Sequence, residues 1–225
     1  MSQSVTSKNA QAAALKKSTK EVDGRLARGG KTRAALLESA FDEIYEHGFQ
    51  SASLANILRA ADCTKGSLYH HFPDKHALGI AAAQAKINEH FEKMWFASLA
   101  ATQDPLTTII NCIQRYMDEG DARLIRLGCP VQNLSQEMSP IDEEFRLLLA
   151  ELIANWHNAL ASALRRGVEN NTVSQTANID EIAALVITSH QGNIGVLKAT
   201  RDLDLARNTM AALFSYLNNQ RPASA

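Results

Sequence analysis

The 225-residue sequence contains no uninterrupted apolar run of the roughly 18 residues that a membrane span requires. Residues 1–20 are polar and alanine-dotted, without the apolar stretch of a secretory signal, so a cytoplasmic protein with no membrane partner is expected. Cysteine is scarce. Cys63, Cys112 and Cys129 lie far apart and form neither a CxxC pair nor a Cys/His cluster, which speaks against a structural zinc site and a disulfide framework. Any interest in these thiols must lie in their reactivity. Also missing are a phosphate-cradling glycine loop, a nucleophile elbow, an HExxH pair and a carboxylate pair set for acid–base work. No enzyme activity and no cofactor is therefore expected. No β-branched alternating run bounded by turns is found either, which leaves an all-α fold.

What is present is a core-forming hydrophobic content of 45% and an uneven distribution of charge. The formal net charge is -1. From Met1 to Arg33 eight Lys or Arg face only Glu21 and Asp23, and up to His76 the balance is still +3, which leaves -4 for the remainder. A basic end on an acidic body suits a protein that meets a polyanion with one end only.

Residues 1 to 30 lack apolar periodicity and close on Arg28, Gly29 and Gly30, which reads as a basic arm. From Thr32, placed as a cap, Leu36, Leu37, Ala40, Phe41, Ile44 and Tyr45 form one stripe of an amphipathic helix that His47 and Gly48 end. Ser53 caps a short helix with Leu54, Ile57 and Leu58 inward, and the small residues Ala60 and Ala61 make a corner. Thr64 caps a third helix, Lys65 to His71, stopped by Pro73, and Asp74 caps a fourth running towards Leu99. Asp104 and Pro105 open the next helix, to about Glu119. A short piece from Asp121 to Leu127 and a helix from Val131 to Met138 follow, and Ser139 and Pro140 are read as the start of a long helix carrying Phe145, Leu148, Leu149, Leu152, Ile153, Trp156, Leu160 and Leu164. Asp180 is placed as the cap of a second long helix with Ile182, Leu185, Val186, Ser189, Ile194 and Leu197. The last helix is expected from about Leu205 to Leu217. The resulting division is an arm (1–30), a three-helix head (31–77) and a helical body (78–220).

The head has helix-turn-helix chemistry. Leu68 and Phe72 form the inner side of its third helix, while Thr64, Lys65, Ser67, Tyr69 and His70 are free to face a DNA major groove. Gly66 in mid-helix costs about 1 kcal/mol relative to Ala, a choice that makes sense where backbone approaches a phosphate or base. Adjacent residues diverge by about 100° on a helix, so His70 and His71 do not share a metal ion.

The run from Thr64 to Lys75, with Gly48, Ser53 and Ile57 before it, resembles the signature of the TetR family of transcriptional regulators over about residues 32 to 78. The resemblance implies a DNA-binding transcriptional repressor that grips a palindromic operator as a homodimer. It implies that Ser53, Thr64, Tyr69 and Lys75 hold phosphates and that Lys65, Gly66, Ser67 and His70 lie over base edges, roles that agree with the chemistry of these groups. Arg25, Arg28, Lys31 and Arg33 then fall where an arm can follow the phosphates.

The two long helices carry more apolar stripe than a small core requires, and the resemblance implies that they pair with their copies, with Gly192 and Gly195 allowing close approach. The run from Gly128 to Met138 resembles a narrower branch that includes the N-ethylmaleimide and acrylate-utilisation repressors, in which the cysteine before the proline is implicated in sensing electrophiles. Cys129 opens a helix with Arg123 and Arg126 near in sequence, a setting that favours a thiolate. The other reading is a reversible small-molecule effector held in the body by Tyr116, Gln132, Asn133, Trp156, His157, His190 and Gln191, polar or aromatic residues beside apolar stripes.

Overall fold

The computed structural model describes residues 29–118 and 122–223, and every regular element among them is helical. Helix α1 covers 29–47, followed by α2 (Leu54–Ala60), α3 (Lys65–His71) and α4 (Lys75–Phe91). Helix α4 continues through a π-helical stretch, Glu92–Phe96, into α5 (Ala97–Ala101). The body is completed by α6 (Pro105–Asp118), α7 (Ala122–Leu127), α8 (Pro130–Met138), α9 (Glu143–Glu169), α10 (Ile179–Thr200) and α11 (Leu203–Asn218).

The residues that end these helices do so for local reasons. Gly48 leaves α1 at φ +80°, a left-handed conformation that costs glycine little. Ser53, Thr64 and Asp74 each accept a hydrogen bond from an amide in the first turn of α2, α3 and α4, as the sequence predicts. Three starts differ from expectation. Residues 29–31 are already helical, so Thr32 lies inside α1 and not at its cap. Helix α9 begins after Asp142, not at Ser139 and Pro140. The amides of Ile141 and Asp142 both turn back to the Met138 carbonyl, and the Asp142 carboxylate then accepts from Phe145 N at 3.0 Å. Helix α10 is capped by Asn178, which leaves Asp180 and Glu181 in the first turn where the helix dipole favours them.

Two apolar clusters result. The smaller one packs Leu36, Leu37 and Ala40 of α1 against Ile57, Leu58, Leu68, Phe72, Leu78 and Ala82. The larger runs through α4 to α11 and contains the buried face of α9, from Phe145 to Leu164, with Ile182, Val186 and Ile194 of α10. Leu185, predicted inward, is exposed. Ile44 of α1 and Ala52 of the following turn belong to this larger cluster, so α1 contributes to both.

Phe41 packs against both clusters, and Phe49 closes the larger one beside α1. The Phe49 ring meets Phe145 at a tilt, 4.7 Å between centroids, and lies over Gly79 of α4, where an added Cβ would stand 2.4 Å from Phe49 Cε2. Glycine at 79 is what lets the ring in. We expect Gly79→Ala to lower stability by about 1–3 kcal/mol through overpacking, read as a reduced urea midpoint at unchanged m-value.

Candidate nucleic-acid interface

The second and third helices are positioned by contacts that leave one face clear. The Glu43 carboxylate of α1 accepts hydrogen bonds from Ser53 N and from Asn56 Nδ2, both at 3.0 Å, which holds the start of α2. Between α2 and α3 Asp62 takes φ +50°, and Cys63 N bonds back to the Leu58 carbonyl at 2.9 Å. Thr64 Oγ1 then accepts from Ser67 N at 3.1 Å. Leu68 and Phe72 face the small cluster and are buried, whereas Thr64, Lys65, Gly66, Tyr69 and His70 are exposed and Ser67 is half-buried.

Tyr69 is 55% exposed, an unusual setting for so large an aromatic ring. A Cβ on Gly66 would meet only Thr64 Oγ1, at 3.8 Å, so internal packing does not demand glycine there. Lys75 Nζ donates to the Gln50 carbonyl at 3.2 Å and sits 5.0 Å from the Phe49 ring centre, drawn towards the turn after α1. Arg33 places its guanidinium 5.3 Å from the Phe72 ring centre, at the end of α3. Arg25 and Arg28 lie outside the described residues. His70 and His71 rings touch at 5.1 Å, and no metal-binding group of His, Cys, Asp or Glu is found among the described residues.

The candidate effector residues fall into separate places. Tyr116 and Trp156 join Trp95 around His190, with ring centres 4.8, 5.7 and 5.5 Å from its own. Burial, aided by the nearby His90, pushes the His190 pKa down to about 3, so the imidazole is neutral. Trp156 Nε1 and Gln191 Oε1 are buried without hydrogen-bond partners. Sequence reasoning missed Trp95, although its place on the apolar side of the helix expected from Lys75 towards Leu99 was a signal. His157 is half-buried and stacks on none of these rings.

Cys129 is buried at the N-cap of α8. Burial pushes its thiol up, against the opposing pull of the Gln132 and Val131 amides and the Gln191 side chain. The expected help from Arg123 and Arg126 is not there, because carboxylates of α1 draw both guanidiniums away. Gln132 and Asn133 turn from this interior to the seam between head and body.

Two family models match the chain, "Bacterial regulatory proteins, tetR family" over residues 36–82 and "Tetracyclin repressor-like, C-terminal domain" over 105–213. The chain belongs to the TetR family. Its N-terminal helix-turn-helix domain and C-terminal helical domain are those of this family, whose members are regulatory DNA-binding proteins and not enzymes. It is 29% identical to the transcriptional regulator AcuR of Cereibacter sphaeroides over 75% of this chain and 76% of AcuR. It is 25% identical to the HTH-type transcriptional repressor DhaR of Mycobacterium sp. (strain GP1) over 82% of this chain and 91% of DhaR. Among solved structures, a cysteine mutant of the TetR-family regulator CifR complexed with 26 bp operator DNA superimposes with a TM-score of 0.70 at 18% identity, covering 80% of this chain and 94% of that one. No helix among the described residues is long and apolar enough to cross a membrane.

In this TetR-family chain polar contacts add to the apolar ones that join the head to the body. Asp42 pairs with Arg123 at 2.9 Å, and that guanidinium also lies 4.8 Å from the Tyr45 ring centre. Glu46 takes both guanidinium nitrogens of Arg126. Tyr45 OH donates to the Gly128 carbonyl at 2.6 Å. From the other side, Glu137 of α8 accepts the Phe49 and Gln50 amides at 2.9 Å each, and His76 meets Asp142 at 2.8 Å.

Glu43 differs from its α1 neighbours in that its partners lie within the head. Partial burial raises its pKa, but the Ser53 amide, the Asn56 side chain and the charge of His47 outweigh this and hold it below the ordinary value of 4.5. A depressed carboxyl stabilises the fold above its unfolded pKa and loses that contribution as pH falls through the folded one. In Glu43→Gln the hydrogen bonds to Ser53 and Asn56 can form without the charge. The wild-type urea midpoint should therefore exceed that of Glu43→Gln near pH 6, and the gap should close as pH falls below about 4.5.

Proposed function

We propose that the chain is a homodimeric, cytoplasmic repressor that binds a palindromic operator through α3 and releases it when an effector occupies the body. The observation that carries the DNA-binding part is the polar outer face of α3, held clear by Thr64, Leu68 and Phe72. Tyr69, Thr64, Ser53 and Lys75 position the head on phosphates, and Lys65, Gly66, Ser67 and His70 read base edges. Lys75 would exchange the Gln50 carbonyl for a phosphate oxygen. The repressor name of DhaR and the operator complex of CifR support this assignment.

The outward face of α9 and α10 supports the dimer. Leu185 and Val196 are exposed, and the space above Gly192 is open to 4 Å. Pairing these helices with a second copy would cover the stripe and set two α3 helices about 34 Å apart, one turn of DNA.

For release, the unpartnered Trp156 Nε1 donor and Gln191 Oε1 acceptor support a reversible ligand, since orphaned buried polar atoms are costly and a bound molecule would satisfy them. A second reading gives the sensor role to Cys129. It is favoured by the Val131 and Gln132 amides directed at the sulfur, an arrangement that would stabilise negative charge on it.

Operator affinity should fall steeply with salt, and Tyr69→Ala should weaken it by about tenfold or more without altering thermal unfolding. Affinity that ignores both salt and that substitution would remove the DNA-binding assignment. Cys129→Ser should bind operator like the wild type and still release it on addition of the reversible effector. If the cysteine is the sensor, N-ethylmaleimide should release the wild type and leave the serine variant bound, as read by fluorescence anisotropy of labelled operator.

A further inference from the structure

We infer that the groove between α1 and the α8/α10 edge of the body is a binding site for a small monocarboxylate with an apolar tail. The groove has a volume of about 640 Å³, within the range of small-molecule sites. Its apolar wall is made by Phe41, Ile44, Leu127, Pro130 and Leu134. It is separate from the aromatic interior, because none of Tyr116, Cys129, Trp156, His190 and Gln191 lines it.

The anionic end of such a ligand has a prepared partner in Lys198. The lysine stem lies across Gly128, where an added Cβ would stand 2.9 Å from Lys198 Cδ, and Gly128 itself holds φ +77°. Lys198 Nζ donates to Asn133 Oδ1 at 3.0 Å. The same amide donates through Nδ2 to the Leu127 carbonyl at 2.7 Å, which fixes the oxygen towards the lysine. The ammonium thus meets a neutral amide and forms no ion pair among the described residues. Two of its protons are left for a carboxylate. Gln132 supplies a second polar group beside it, laid over Gly195, whose added Cβ would stand 2.9 Å from Gln132 Nε2.

The opposite side of the groove sets the rest of the chemistry. Glu46 is paired with Arg126, whereas the Glu137 carboxylate accepts two backbone amides and forms no ion pair among the described residues. An acceptor group without a cationic partner disfavours a second carboxylate at the far end, and Ile44 and Leu134 offer apolar contact along the way. A monoanion fits and a dianion does not.

The test is calorimetric titration of the full chain with octanoate, octan-1-ol and suberate, which share a chain length and differ in charge. Octanoate should bind with one site per chain, and both octan-1-ol and suberate should bind about tenfold or more weakly. Lys198→Met keeps an unbranched stem over Gly128 and removes the charge. It should weaken octanoate by about tenfold or more while leaving octan-1-ol unchanged. Amide chemical-shift changes on octanoate binding should centre on Gly48, Asn133 and Gly195. No binding of octanoate, equal binding of octanoate and octan-1-ol, full affinity in Lys198→Met, or shifts centred on His190 would each overturn the proposal. None of these readouts involves DNA, so they are independent of the operator assignment.

Discussion

Helix α1 is one rigid rod shared between two hydrophobic clusters. It gives Leu36, Leu37 and Ala40 to the head, and Ile44 near its end belongs to the body. Hydrogen bonds along a helix do not stretch to let one end move without the other, so the orientation of the head follows wherever the body holds residues 42–46. The polar contacts there are arranged for this. Asp42 and Glu46 reach Arg123 and Arg126 of α7, Tyr45 reaches Gly128 of the α7–α8 turn, and Phe49 then passes over Gly79 to seat against Phe145. A small displacement of that turn has few ways to be absorbed other than by tilting α1.

The turn is also where α10 meets α8. Gln191, Gly195 and Lys198 recur at the spacing that aligns residues on one helix face, and they meet Cys129, Gln132 and the Gly128–Asn133 pair in order. Chemistry changes along that line. At its inner end lie a buried thiol and an amide beside rings that hold a neutral histidine. At its outer end stands an ammonium in contact with water. The interior suits neutral molecules and the rim suits an anion, because desolvation penalises charge at one end far more than at the other.

How much of this was legible in the sequence follows from how local each feature is. The run from Ser53 to Lys75 was read with its helix limits intact, since Ser53, Thr64 and Asp74 act on amides three residues away and Pro73 acts on its own neighbours. The buried faces of α9 and α10 were legible from period alone, apart from Leu185. The start of α9 was not, because Pro140 and Asp142 are both plausible first-turn residues and the Met138 carbonyl decides between them. Arg123 and Arg126 were placed beside Cys129 by proximity in the chain, yet their carboxylates come from α1, about eighty residues earlier. Tyr45 and Gly128 are separated by 83 positions, and no periodicity reports such a pair. The same limit applied to Gln132 and Asn133, whose residue types suited a ligand but whose direction depended on where Lys198 and Gly195 came to lie.

Helices α2 and α3 have seven residues each, about half the length at which an isolated helix becomes stable in water. The segment proposed to face DNA is therefore a borrowed structure. It is held by two hydroxyl caps, a carboxylate from α1 and the burial of Leu68, and it keeps no reserve of its own. Its amides should be among the earliest in the head to exchange with solvent, and contact with a partner would add order where the free chain has least. Recognition by this protein is then partly a matter of finishing the folding of its smallest pieces.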